Sequence, residues 1–166
     1  MNVYDLTIPV FTGMLRNLSK LLERAEEQAA SRKFAPEALL DARLYPDMFP
    51  LTRQVQLATD FAKGTAARLA AQDVPKWDDT ERGFAELQAR ISKALDYLAT
   101  IAPAAFDDAE SRAIELKTPA GTFHFRGDEF LLTWGLPNFY FHVTTAYNIL
   151  RHNGIEIGKL DFLGKA

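Results

Sequence analysis

Apolar residues return at three- and four-residue intervals over most of the chain, a period that predicts four long helices. Phe11, Leu15, Leu18, Leu22, Ala25 and Ala29 share one face of the first, expected over 5–30. Asp5 or Thr7 is placed to cap its start, and Pro9 is tolerable near a first turn. Leu51, Val55, Ala58, Ala62, Thr65 and Leu69 form the inward stripe of a second helix over about 50–72. Gln54 lies beside that stripe and Asp60 nearer the opposite side. Phe84, Leu87, Ile91, Leu95 and Leu98 mark a third, over about 80–101, capped in the DDTE stretch. Its Glu81, Arg82, Glu86, Arg90 and Lys93 are expected in water. The last helix covers about 128–153, with Asp128 as cap and Gly154 as stop. Gly135 and Pro137 predict a kink or break within it, at WGLP.

Between these periods the pattern changes. Three prolines fall in residues 34–51: Pro36 opens a short helix, while Pro46 and Pro50 force a turn around LYPDMFP. QDVPKWDD reads as a connection, with Trp77 covering a bundle end. In IELKTPAGTFHFRGDEF, Ile114, Leu116, Phe123 and Phe125 alternate around Thr118–Pro119–Ala120–Gly121, the signature of a small β-hairpin. Two strands alone are marginal in water, so the hairpin must lie on the bundle or on a second subunit. The fold class that follows is all-α, an antiparallel four-helix bundle with a small β-hairpin before the last helix. Residues 1–166 read as a single domain.

Composition narrows the function. The chain has 166 residues, 48% of them hydrophobic, which supports a substantial core. A formal charge of -3 with basic and acidic residues interspersed argues against nucleic acid as a partner. Without cysteine there is no disulfide, no thiol nucleophile and no cysteine-held zinc or iron–sulfur site. No stretch supplies the roughly 20 apolar residues of a membrane helix, so a soluble, cytoplasmic protein with no membrane partner is expected. Ser19, Ser31, Ser92 and Ser111 lack a nucleophile elbow. Asp78–Asp79 and Asp107–Asp108 sit at helix boundaries, where capping and solvation outweigh acid–base work. Neither a phosphate loop nor a dinucleotide fingerprint occurs.

The chemistry that remains centres on FYFHVTTAYNIL, residues 139–150. On a helical wheel His142 aligns with Ile149, flanked by Leu131, Thr145 and Ala146, so its imidazole points into the bundle. There it needs a hydrogen-bond partner: Gln54, Asn148, Asn153 or a tyrosine. Two readings stay open, a satisfied core histidine and a ligand-binding or catalytic one. The pocket candidates are His142, Gln54, Tyr147 and Asn148; no catalytic residue is assigned. Gln54, Gln56 and Asp60 in RQVQLATD either line a polar pocket or stabilise neighbouring turns and exposed faces. His152, ten residues on, is rotated by about 80 degrees from His142 and is expected to serve terminal carbonyls. His124, on the hairpin, reads as a surface or subunit-contact residue.

Two stretches, LYPDMFPLTRQVQLATDFAK at 44–63 and GLPNFYFHVTTAYNILRHNG at 135–154, resemble the DinB/YfiT-like helical-bundle superfamily, in an uncharacterised bacterial branch. The resemblance covers nearly all of residues 3–160 and implies a bundle of DinB-like type. Members often hold a divalent metal with one histidine on the second helix and two, spaced by four, on the last. The resemblance allows His142 the first position of the last-helix pair, but Ala146 stands four residues on, and the earlier helix offers Gln54 in the approximate region with no histidine near it. The usual three-histidine site is therefore absent. The resemblance leaves open a divalent metal at His142 with its remaining ligands unassigned, or a small-molecule ligand there, and a homodimer. A nonenzymatic dimeric structural or protein-interaction module is the alternative.

Overall fold

The computed structural model describes residues 2–165. Its first helix, α1 (Val3–Ser31), begins earlier than the periodicity places it. Asn2 is the cap: its side chain accepts from the Asp5 amide at 2.9 Å, and the Asp5 carboxylate accepts from the Asn2 amide at 3.2 Å. This reciprocal box satisfies two orphan donors and displaces Asp5 and Thr7 as caps. Thr7 lies inside the helix and donates to the Val3 carbonyl at 2.6 Å. Pro9 is a turn deeper than expected, and the helix runs through it.

A short helix α2 (Glu37–Leu40) follows Pro36, and the proline-rich loop delivers the chain to α3 (Leu51–Leu69), whose N-cap is Pro50. α4 (Phe84–Ala99) starts at Gly83 rather than within DDTE, so those acidic residues are free for another task. A 3-10 turn (Pro103–Phe106) leads to β1 (Ala113–Thr118) and β2 (Gly121–Arg126). These pair antiparallel, from Ala113 opposite Arg126 to Thr118 opposite Gly121, the register the alternation predicts. β1 buries Ile114 and Leu116 against the bundle, while β2 is mostly exposed and packs on it through the half-buried Phe125.

The last long helix is continuous but changes its winding. One turn, α5 (Gly127–Glu129), passes into a wider π-helical segment (Phe130–Gly135) and then into α6 (Leu136–His152). The anomaly expected at WGLP is thus a π turn rather than a break. Pro137 has no N–H for the carbonyl four residues back, and a wider register accommodates that loss. The Asn138 side chain also donates to the Trp134 carbonyl at 2.8 Å. Asp128 is in the first turn, not at the cap, although its carboxylate accepts from the Glu129 amide. Gly127 is fixed by crowding, since a β-carbon there would lie 1.8 Å from the Ala109 carbonyl oxygen. A last short helix, α7 (Lys159–Phe162), packs back on α1.

The four long helices enclose one core, with α3 against α6 and α4, and α1 against α4 and α6. Phe11 and Phe139 meet edge to face at 4.7 Å, and Leu15, Leu18, Leu22, Leu69, Leu87 and Leu98 are fully buried around them. Each such side chain contributes about 1.5–3 kcal/mol through apolar burial. Among the described residues, no helix is long and apolar enough to cross a membrane.

Candidate functional site

The α3–α6 contact carries the chemistry. Gln54 and His142 are 1% and 7% exposed, and His142 Nδ1 lies 2.8 Å from Gln54 Oε1. The amide is oriented from its other end, because Gln54 Nε2 donates to the Phe49 carbonyl at 3.1 Å. Oε1 therefore faces the imidazole, and an acceptor there requires Nδ1 to carry the proton. In the neutral ring, Nε2 then holds the lone pair. Among the described residues that atom has no hydrogen-bond partner, and it is not among the sealed polar atoms.

The ring is held on its flat sides as well. Phe61 stacks on it at 5.4 Å with an interplanar angle of 18°, and Phe141 meets it edge-on at 5.2 Å. Burial, with a smaller contribution from the positive charge of Arg53, lowers the His142 pKa from 6.5 to about 4. Desolvation penalises the imidazolium, so the ring is neutral at physiological pH. Phe141, beside the imidazole, is 55% exposed.

Of the other pocket candidates, neither shares this face. Tyr147 packs its ring on Phe162 at 5.7 Å, and Asn148 is exposed. His124 is exposed on β2, opposite Glu115. His152 is exposed, and it is Asn153 that serves the helix end, donating to the Ile149 carbonyl at 2.8 Å. The donor set does not fit a resident metal. Gln54 is committed at both ends of its amide, Ala146 offers no donor atom, and among the described residues no three His, Cys, Asp or Glu groups gather to hold an ion. A three-histidine centre has no counterpart here.

A second polar cluster was not legible in the helical pattern. Arg90, expected in water, is 3% exposed. Its guanidinium reaches Thr59 Oγ1 at 2.8 Å, Asp60 and Asp79 at 2.9 Å each, and Glu81 at 3.0 Å. Lys63, equally buried, pairs with Asp60 at 2.7 Å and lies 4.0 Å from the centre of the Trp77 ring. Gln56 is buried and donates to Glu81 at 2.9 Å, while Arg53 pairs with Asp79. Burial alone would push the Glu81 carboxyl up, but hydrogen bonds from Arg90 and Gln56 outweigh it and hold the pKa below the usual range. The acids before α4 thus bind the connection to α3 and α4. The signal available in sequence was the density of acids in DVPKWDDTE facing one Arg and one Lys in otherwise apolar registers.

Comparison with known proteins sets this geometry in context. A family model described as a domain of unknown function, DUF1993, matches residues 3–163. A crystal structure of a DinB family member protein from Shewanella denitrificans is 45% identical, with a TM-score of 0.91 over 98% of this chain and 92% of that one. None of the curated proteins compared with the chain matches it.

Proposed function

The chain belongs to the DUF1993 family, a bacterial group with the DinB-like bundle fold, and on that premise we propose that it binds a small hydrogen-bond donor at the His142 Nε2 atom. The observation that carries this reading is the committed Nδ1: Gln54 fixes the tautomer and leaves Nε2 as an acceptor beside Phe61 and Phe141. Binding is favoured over proton abstraction on the same grounds. An imidazole whose conjugate acid titrates at about 4 is a weak base at neutral pH, yet its lone pair accepts a hydrogen bond from a hydroxyl or amide. The two aromatic walls supply the apolar contact that small-molecule sites combine with a few polar groups.

The test is a set of phenols, primary alcohols and primary amides followed by the 15N shift of His142 Nε2. Binders are expected to move that signal together with the Phe61 ring, and His142→Phe is expected to lose them while keeping the helical spectrum. Equal binding by the variant, or no binder among the donors at millimolar concentration, overturns the reading.

A second reading rests on the exposed aromatic rings of Tyr45, Phe49 and Phe141, which would be covered in a homodimer acting as a nonenzymatic interaction module. Sedimentation at increasing concentration tests it; a strictly monomeric species removes it.

A further inference from the structure

We propose that the groove between α3, β1 and the π-helical turn binds small organic monocarboxylates, with Arg68 taking the carboxylate. The groove holds about 220 Å³ and is lined by Leu57, Phe61, Leu116, Phe130 and Trp134 on its apolar walls. It lies below the roughly 300–1,000 Å³ of drug-sized sites, so its occupant is a single ring or a short chain. Gly64 keeps the wall open: a β-carbon there would stand 3.0 Å from Arg68 Nη1.

Two charged groups, Arg68 and Asp60, line the groove and set the ligand's charge. Arg68 is half-buried and donates to the Gly64 carbonyl at 2.9 Å, but among the described residues it pairs with no carboxylate. Burial lowers its pKa, as expected of a cation short of both water and counter-ion, while the guanidinium remains charged. Asp60 also lines the groove, but its charge is answered by Lys63 and Arg90. Eight residues of helix, about 12 Å, separate it from Arg68. A ligand anion therefore meets net attraction at the Arg68 end.

Thr65 makes the second, independent observation. It lines the groove, is 1% exposed, and its hydroxyl is the one buried side-chain polar atom lacking a hydrogen-bond partner among the described residues. An orphan hydroxyl costs about 1–3 kcal/mol, a penalty that a ligand oxygen relieves. The hydroxyl now faces Gly135, and a carboxylate held by Arg68 supplies an acceptor for it after rotation about χ1. The bidentate match of guanidinium and carboxylate favours a carboxylate over a neutral amide of the same shape. This site stands apart from His142, which shares only the Phe61 ring with it.

Benzoate is the probe, with benzamide as its neutral isostere, followed by the methyl signals of Leu57, Thr65 and Leu116. Saturable shifts with benzoate, at least tenfold weaker with benzamide, are expected. Arg68→Gln should lose binding at least tenfold, Arg68→Lys should keep part of it, and Thr65→Val should weaken it several-fold. His142→Phe should bind benzoate as the wild type does, which separates this site from the reading at Nε2. Absence of saturation at millimolar benzoate, equal affinity for benzamide, or full binding by a folded Arg68→Gln variant overturns the proposal. Should Arg68→Gln fail to fold, the comparison of benzoate with benzamide on the wild type decides.

Discussion

Gly135 rests against Thr65 so closely that a β-carbon at Gly135 would lie 2.6 Å from Thr65 Cγ2 and 2.9 Å from its Oγ1. The backbone of the π-helical segment packs there directly on the Thr65 side chain of α3. Gly135→Ala is expected to destabilise the protein by about 1–3 kcal/mol through overpacking. Thr65→Ala removes both crowded atoms, so the double variant should recover much of the loss. A double-mutant cycle in urea measures that coupling.

His142 makes stability depend on pH in a defined direction. Its folded pKa of about 4 lies below the ordinary 6.5, so between those values the unfolded chain binds the proton and the folded one does not. The stability contribution is complete above pH 6.5 and falls as the pH drops towards 4. Between pH 7 and pH 5 the loss is about 2 kcal/mol. Denaturant titrations at the two pH values should show that difference, and His142→Phe should shrink it.

Gln54 sets the tautomer, and its substitutions should separate packing from electrostatics. Gln54→Leu leaves the Nδ1 proton without its acceptor at a cost of about 1–3 kcal/mol. Gln54→Glu places a carboxylate beside the ring and should raise the His142 pKa above its wild-type value. NMR titration of the imidazole reads this directly; an unchanged midpoint would mean that the amide does not govern the ring.

Arg90 is expected to be the most sensitive charged residue. Arg90→Met leaves Asp60, Asp79 and Glu81 without their shared cation. Breaking a buried pair costs about 3–5 kcal/mol, and the partial exposure of the three acids places this loss at the lower end. Arg90→Lys should restore little, because one ammonium cannot reach all the partners of the guanidinium fork. Acid acts on the same cluster. Glu81 has a lowered folded pKa, so its contribution is present above its ordinary value of 4.5 and is lost as the pH falls through the folded one. Amide exchange in residues 73–83 should rise first on acidification.

The parts legible in the sequence are those written as a period. The stripes Phe11–Ala29, Leu51–Leu69 and Phe84–Leu98 each recur every three to four residues, and the strands alternate around Thr118–Gly121; tertiary packing follows both patterns. The inward turn of His142 was readable for the same reason, whereas Gln54 was one of several open partners and only the α3–α6 packing selects it. The burial of Arg90 and Lys63 was not readable. A wheel assigns charge to solvent, and only the fold shows that the segment 70–83 returns over α3 and α4, bringing Asp79 and Glu81 to Arg90 beside Asp60 of α3. Helix ends were similarly hidden: Asn2 won over Asp5 because capping depends on local backbone geometry that apolar spacing does not encode.

The hairpin has a consequence for how the protein can change. The strands are held on the bundle by Ile114 and Leu116 of β1 and by Phe125 of β2, while Pro119, Ala120 and Gly121 at the reversal are exposed. Extra residues at that reversal would cost only the slowly growing entropy of a longer loop, about 0.6 kcal/mol for each doubling. The tip is therefore the place where relatives can differ in length, or where a tag can be grafted, while the helical frame stays as it is.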